Sequence, residues 1–520
     1  MKLFDSVRMR APGKNKFNLS HERKMSFNMG DLIPMMLQEV VPGDSFRVNT
    51  EIMMRLAPML APIMHRVNVK TEYFFVPMRL IWNEWEDFIT GGRLGTSAPI
   101  SPFFDFGSFD PSEYYIPGTL LDYLGLPVME GLVSGTDERE FSSLPLRAYQ
   151  LIWQEYYRDQ NLTPELSLYF GSGNEVAPYL TDNLLQIRKR CWEKDYLTSA
   201  LPFAQRGATV DIPISDDPLQ QTIMSRPGAG GVPFTTASTA FGFNNAGGTT
   251  AAAGAESGGV HVGAEGHGID VNTLRRSVRL QEWLEKMARA GSRYAEQLRA
   301  FFNVNPDDAR LQRPEFLGGA TTPISISEVL STVQQVDPTS GDPVGTPQGD
   351  MTGRGISYGN VNGFKRFFKE HGFVVGLVSV IPKTAYQQGI PKLWNRSDKL
   401  DYYWPEFANI GEQAVMQSEV YYNPDSPAGT SFETFGYQSR YAEYKYQPST
   451  VHGDFRDSLA FWHMGRIFAA NPALNTSFVT ADPTHRIFAV EDADVHKLWC
   501  QLYHKIDAIR PMPYYGTPKL

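Results

Sequence analysis

The chain has 520 residues, of which 42% are hydrophobic and 20% charged, and that balance excludes a wholly disordered protein. A formal charge of −9 excludes a protein that coats nucleic acid with its entire surface, since that affinity comes mainly from neutralised phosphates. Any nucleic-acid contact has to be local. With only Cys191 and Cys500 there is no disulfide framework.

Aromatics at 12%, with 36 Pro and 45 Gly, favour sheets, turns and long ordered loops. The class is therefore all-β with helical excursions, either as several domains or as one domain with large insertions. The N-terminal MKLFDSVRMRAPGKNKF has no apolar h-region, and FVVGLVSVIP at 373–382 is far short of a membrane span. Neither secretion nor membrane insertion is expected, and synthesis in a cytoplasm fits the cysteine usage.

Residues 1–24 form a basic arm: Lys2, Arg8, Arg10, Lys14, Lys16, Arg23 and Lys24 stand against Asp5 and Glu22. Strand patterns follow at 43–56 and 65–76, where Val67, Val69, Thr71, Tyr73 and Phe75 alternate with Asn68, Lys70, Glu72 and Phe74. Between them LAPMLAP carries Pro58 and Pro62, which deny ladder donors, so it is neither a central strand nor a regular helix. Its Met59 and Leu60 belong to an apolar segment built to press against something.

From Met78 to about Pro213 the chain turns to loops rich in Pro, Gly and aromatics, with a helical piece at 146–160. Residues 227–268 contain no Leu, Ile, Met, Lys or Arg and cannot build a core. Gly and Ser content alone supports a flexible linker, whereas Phe234, Phe241 and Phe243 argue for an exposed loop that orders against neighbouring copies. Residues 271–304 space Leu274, Val278, Leu284, Met287 and Leu298 as an amphipathic helix, capped at Asn272 or Thr273. Gly291 would cost about 1 kcal/mol within one continuous helix, so a break there is expected. Strand patterns return at 373–382, 413–423 and 436–446.

Motifs for chemistry are sparse. Glu84, Glu86 and Asp87 in WNEWEDF are the best carboxylate cluster for glycoside chemistry. However, Trp82, Trp85 and Phe88 share their helical spacing and point to a surface acid face beside an aromatic stripe. His496 and Cys500 fall four apart in EDADVHKLWCQLYHK, read as a helix, but two ligands do not make a zinc site. No nucleophile elbow and no phosphate-binding glycine loop occurs, so no cofactor is expected. FKRFFKEHGF (364–373) interleaves aromatics with Lys365 and Arg366, the mixture that single strands use for stacking and charge neutralisation. Its plainer reading is an amphipathic turn into a buried strand, just as the basic arm has the plainer reading of a solvated tail.

FNLSHERKMSFNMGDLIPMM (17–36), VNVKTEYFFVPMRLIWNEWEDFITGG (67–92), LRRSVRLQEWLEKMARAGSRYAEQLRAFFNV with DARLQRPEFLGG (308–319), and FGYQSRYAEYKY with its FR-x-SL-x-FWH sequel (455–463) resemble the major capsid protein of the Microviridae, gokushovirus branch. The likeness spans most of the chain in order. It implies an eight-stranded antiparallel jelly roll with long helix-containing insertions between strands, in one domain. It also implies a T=1 icosahedral shell around circular single-stranded DNA, synthesis and assembly in a bacterial cytoplasm, and no enzymatic activity. The implied partners are further copies of the chain, an internal scaffolding protein, minor virion proteins and a host surface receptor. Residues 227–268 lie where the branch's three-fold protrusion would fall, which makes Phe234, Phe241 and Phe243 candidates for a host-attachment loop, and a closed shell implies that LAPMLAP, with Met59 and Leu60, lies at a subunit boundary or beneath the sheet. A carbohydrate-binding or carbohydrate-cleaving jelly roll is the alternative; it would usually be secreted and, if cleaving, would need a carboxylate constellation.

Overall fold

A computed structural model describes residues 13–105, 111–128, 140–176, 178–208, 210, 271–290, 293–303, 307–330, 351–424, 433–492 and 494–515. The chain divides into two units, Met1–Arg206 with Glu285–Leu520, and Gly207–Leu284. The first unit holds every strand named below.

Its strands are β1 (Asn15–Asn18), β2 (His21–Phe27), β3 (Ile33–Val40), β4 (Ser45–Leu56), β5 (Val67–Pro77), β6 (Phe103–Asp105), β7 (Glu140–Ser142), β8 (Glu315–Pro323), β9 (Ser325–Leu330), β10 (Met351–Phe367), β11 (Gly372–Pro382), β12 (Glu412–Met416), β13 (Thr434–Ser439) and β14 (Leu498–Arg510). One antiparallel sheet runs β1-β14-β4-β10-β9, with β2 also on β14; a second runs β3-β11-β5-β8. The fold is mainly antiparallel sheet, as composition implied. Alternation in β4 and β14 sends Phe46, Val48, Ile52 and Met54, with Leu498, Leu502 and Ile506, into a core shared with Val69, Tyr73 and Phe75 of β5 and Val374 and Val378 of β11. The two sheets therefore form a sandwich.

Polar groups inside this core are satisfied across it. The Tyr73 hydroxyl donates to Thr50 Oγ1 at 2.6 Å, Thr50 Oγ1 lies 2.9 Å from His504 Nδ1, and His504 Nε2 lies 3.0 Å from the Met35 carbonyl. Burial pushes the His504 pKa down to about 4, with His21 adding to the effect. The β10–β4 ladder shifts register between Val361 and Phe364, and a Cβ on Gly363 would lie 1.5 Å from the Val48 carbonyl oxygen. Only glycine permits that approach.

The second sheet is buried on its other face too. α1 (Met78–Ile81), α2 (Trp85–Thr90), α3 (Pro111–Tyr114), α4 (Leu120–Leu124) and α5 (Leu144–Ile152) belong to the long insertion after β5. Leu120, Leu146, Tyr149 and Ile152 pack with Phe74, Val76, Val375 and Leu377 in a second core. Burial on both faces accounts for the near-continuous apolar run of β11, interrupted by Ser379. Inside this cover Arg147 and Glu175 are almost fully buried: Arg147 Nε donates to Glu175 Oε1 at 2.6 Å and Nη1 to the Ile81 carbonyl at 2.9 Å.

Several expectations change here. The 146–160 helix is α5 followed by a π turn at Trp153–Tyr157. The helical reading of 491–505 is overturned, because β14 begins at Leu498 and Cys500 is a buried strand residue, while His496 lies 3.0 Å from the Ser26 hydroxyl. The period-2 burial of Leu498, Cys500, Leu502 and His504 was the overlooked signal. The patterns at 413–423 and 436–446 shorten to β12 and β13, each followed by a helical turn. The 271–304 segment is two helices, α6 (Val271–Ala290) and α7 (Tyr294–Phe302), so the break comes beside Gly291, which itself lies outside the described residues. α6 already starts at Val271, ahead of both expected caps.

Candidate nucleic-acid interface

The outward face of the first sheet can be read row by row from its register. Asn18, Asp507, Arg47 and Lys365 lie side by side across β1, β14, β4 and β10. The neighbouring row is Lys16, Ile509, Ser45 and Phe367, and Lys505 stands opposite Asn49. Farther along come Glu22, Tyr503 and Glu51, then Lys24, Gln501, Met53 and Tyr358, then Ser26, Trp499, Arg55 and Ile356. Two residues beyond Ile356, Arg354 has the same parity. Lys14 reaches this face by placing Nζ 5.0 Å from the Phe367 ring centroid.

Among the described residues this surface gathers eight cations, Lys14, Lys16, Lys24, Arg47, Arg55, Arg354, Lys365 and Lys505, against the three carboxylates Glu22, Glu51 and Asp507. On a chain of charge −9 that is a segregated positive field. Two carboxylates are engaged at exposed sites, Asp507 with Lys16 at 3.0 Å and Glu22 with Lys24 at 3.8 Å. Arg47, Arg55, Arg354, Lys365 and Lys505 are exposed and pair with no carboxylate among the described residues. Exposed Trp499, Tyr503, Tyr358 and Phe367 sit among them. Unstacked bases pack on such rings while ammonium and guanidinium groups neutralise the backbone.

Four of the expected DNA-contacting residues, Lys14, Lys16, Lys24 and Lys365, are thus brought together from segments far apart in the chain. Two others are turned away. Arg23 is opposite buried Leu502, so alternation points it toward the core side, where it donates to the Tyr123 carbonyl at 2.7 Å. Arg366 is opposite buried Phe46 and pairs with Glu315 at 2.6 Å. Lys2, Arg8 and Arg10 lie outside the described residues, as do Phe234, Phe241 and Phe243. From Asn15 onward the arm is strand rather than a solvated tail. Arg47, Arg55, Arg354 and Lys505 were missed; the alternation of FRVNTEIMMRL was the signal for the first two.

Other candidates resolve into structural parts. Met59 is 1% exposed, bridges Gly353 and Phe488, and belongs to the core, whereas Leu60, the other residue of the expected interface, is 45% exposed. Trp82 is buried with its ring 4.7 Å from Phe88 and 5.8 Å from Trp85, and Glu84, Glu86 and Asp87 are exposed beside it. That is the aromatic stripe with its acid face. A cleft of about 860 Å³ is lined by Lys70, Arg190 and Arg293, but these pair with Glu193, Glu72 and Glu296 at 2.6, 2.7 and 3.5 Å. Among the described residues no group of three His, Cys, Asp or Glu could hold a metal, and no helix is long and apolar enough to cross a membrane.

The protein is a β-sandwich with one face covered by helices and the other, among the described residues, uncovered, basic and aromatic, the architecture of a protein that works through a broad surface. Residues 6–520 match the capsid protein (F protein) family of phages, and the chain belongs to that family. It is 34% identical to capsid protein VP1 of Chlamydia phage 1 over 589 residues, covering 98% of this chain and 96% of that one. Capsid protein VP1 of Bdellovibrio phage phiMH2K is 33% identical, covering 97% and 95%, and that of Spiroplasma virus 4 is 30% identical, covering 98% and 95%. The gokushovirus-type resemblance of the sequence is thereby established.

Proposed function

We propose that this protein is the subunit of a closed T=1 shell that encloses a circular single-stranded DNA genome, with the bare face of the first sheet turned to the DNA. The observation that carries the DNA side of this reading is the cationic, aromatic surface on an otherwise acidic chain. Assembly is supported by the match of residues 6–520 to the capsid family. The sandwich is read as an eight-stranded jelly roll. With β1 and β2 taken as one interrupted strand and β9 as a partner of β10, the eight strands order 1-8-3-6 in one sheet and 2-7-4-5 in the other. Two Greek keys folded against each other produce that order.

Synthesis and assembly take place in the bacterial host cytoplasm on this reading, with an internal scaffolding protein and minor virion proteins as partners. Residues 227–268 are the host-attachment insertion, supported by their composition and by the resemblance. The test is electron microscopy of the chain coexpressed with its assembly partners. Uniform closed particles holding nuclease-protected single-stranded DNA are expected; dispersed monomers, of radius of gyration about 24 Å, would overturn the shell. Deleting 232–266 is expected to leave particles intact and reduce infection, and unchanged infectivity would remove the attachment role.

A further inference from the structure

The segment after β11 and the turn that follows β13 expose an aromatic surface that neither the sandwich nor the sheet proposed to face DNA uses. Trp394, Tyr402, Tyr403, Trp404, Tyr444 and Tyr446 are each between 48% and 75% exposed. Most of them are tied into one patch. The Arg396 guanidinium lies 5.4 Å from the Tyr402 ring and 4.3 Å from the Tyr444 ring, and Tyr403 packs against Tyr441 at 5.0 Å and Tyr444 at 6.3 Å. The backbone beneath is fixed by its own caps: Asp401 accepts from the Ser397 and Asp398 amides at 2.9 Å, and Trp404 Nε1 donates to the Lys399 carbonyl at 2.9 Å. Little ordering remains to be done on binding, which favours tight association.

We infer that this patch is a contact surface for a second copy of the same chain, on the reading that the protein builds a shell. Area is the first argument. Six aromatic side chains of roughly 150–250 Å² each, about half exposed, present roughly 700 Å² of surface, close to the ~800 Å² per partner of a standard stable interface. A monomer that kept so much aromatic surface in water would be unusual. Charge is the second argument. Residues 391–410 carry Lys392, Arg396 and Lys399 against Asp398, Asp401 and Glu406. This balance offers no attraction to phosphate, unlike the bare sheet face. The composition, rich in Tyr, Trp and Arg, is that of interface anchors.

Trp394, 75% exposed, is the safest position to probe because its removal leaves the fold's own packing alone. Maleimide labelling of Trp394→Cys is compared in dissociated subunits, DNA-filled particles and DNA-free particles. Labelling is expected to slow by about tenfold or more in both kinds of particle, and Trp394→Asp or Tyr402→Asp to cut particle yield by about tenfold while subunit circular dichroism stays unchanged. Equal labelling of subunits and particles overturns the inference and leaves the shell standing. Protection only in DNA-filled particles, or only on adding host glycans, overturns it in favour of those occupants. A wild-type chain that stays monomeric with every assembly partner present overturns the shell reading and this one together.

Discussion

Val375 and Leu377 of β11 point away from the shared core into the helices of the long insertion, whereas Trp499, Tyr503 and Lys505 of β14 point away from it into solvent. Both strands lie inside their sheets, so position in a sheet does not account for the difference. What covers each sheet does. A strand buried on both faces has to be apolar almost throughout, and β11 is but for buried Ser379, whose hydroxyl is met by Arg190; a strand covered on one face is free to spend every second residue on another task. In β4 and β14 those residues are Arg47, Arg55, Lys505, Tyr503 and Trp499. The covered sheet supplies rigidity, and the bare one supplies a surface.

The sharpest way to break the comparison is under the cover. Arg147→Met leaves the Glu175 carboxylate buried without its cation, and unfolding stability should fall by about 3–5 kcal/mol in chemical denaturation. The Arg147→Met, Glu175→Leu pair should recover most of that loss. A single-mutant loss below about 1 kcal/mol would mean that the insertion unfolds apart from the sheet it covers.

A smaller effect is expected at the joint between the sheets, where His504 links the Met35 carbonyl of β3 to Thr50 of β4. Its folded pKa, about 4, is below the ordinary 6.5, so the unfolded chain binds the proton more readily. Its contribution is therefore fully present above pH 6.5 and lost as pH falls toward 4. The His21 ring, 5.2 Å away, adds to the lowering of the His504 pKa. The loss across that window should be about 3 kcal/mol, and His504→Gln should flatten it. An unchanged pH profile in that variant would place acid sensitivity elsewhere.

The sandwich was legible because β4, β5 and β11 announce themselves through alternation or near-continuous apolar runs. β14 was not, since HKLWCQLYHK offers His496 and Cys500 at helical spacing as well as a period of two, and the acids before it resemble a helix start. Only pairing with β4 and β2 decides between them. The site was half legible for a similar reason. A basic arm is visible as charge along the sequence, but whether Arg23 or Lys24 faces outward depends on a one-residue parity that is fixed by the register against β14. Arg47 and Lys365 are more than 300 residues apart and become neighbours only through that ladder. The exposure of the aromatic patch at 394–446 has no signature in the sequence, because buried and surface Tyr read alike.

On the bare face, Trp499→Ala should weaken single-stranded DNA binding by about 1–3 kcal/mol with little change in duplex binding, since a paired base offers no free ring face. The cations should act differently. Replacing Arg47, Lys365 and Lys505 with Gln removes exposed charges that hold no carboxylate among the described residues, so folding stability should move by less than about 0.5 kcal/mol for each. The effect belongs in the salt dependence. If each group neutralises one phosphate, the log–log slope of single-strand affinity against salt should become shallower by about 2, at about 0.7 per phosphate. Trp499→Ala should leave that slope alone, because stacking releases no counterions. A triple variant with an unchanged slope would take the DNA off this face, however basic it is, and return the genome contacts to the arm before Gly13.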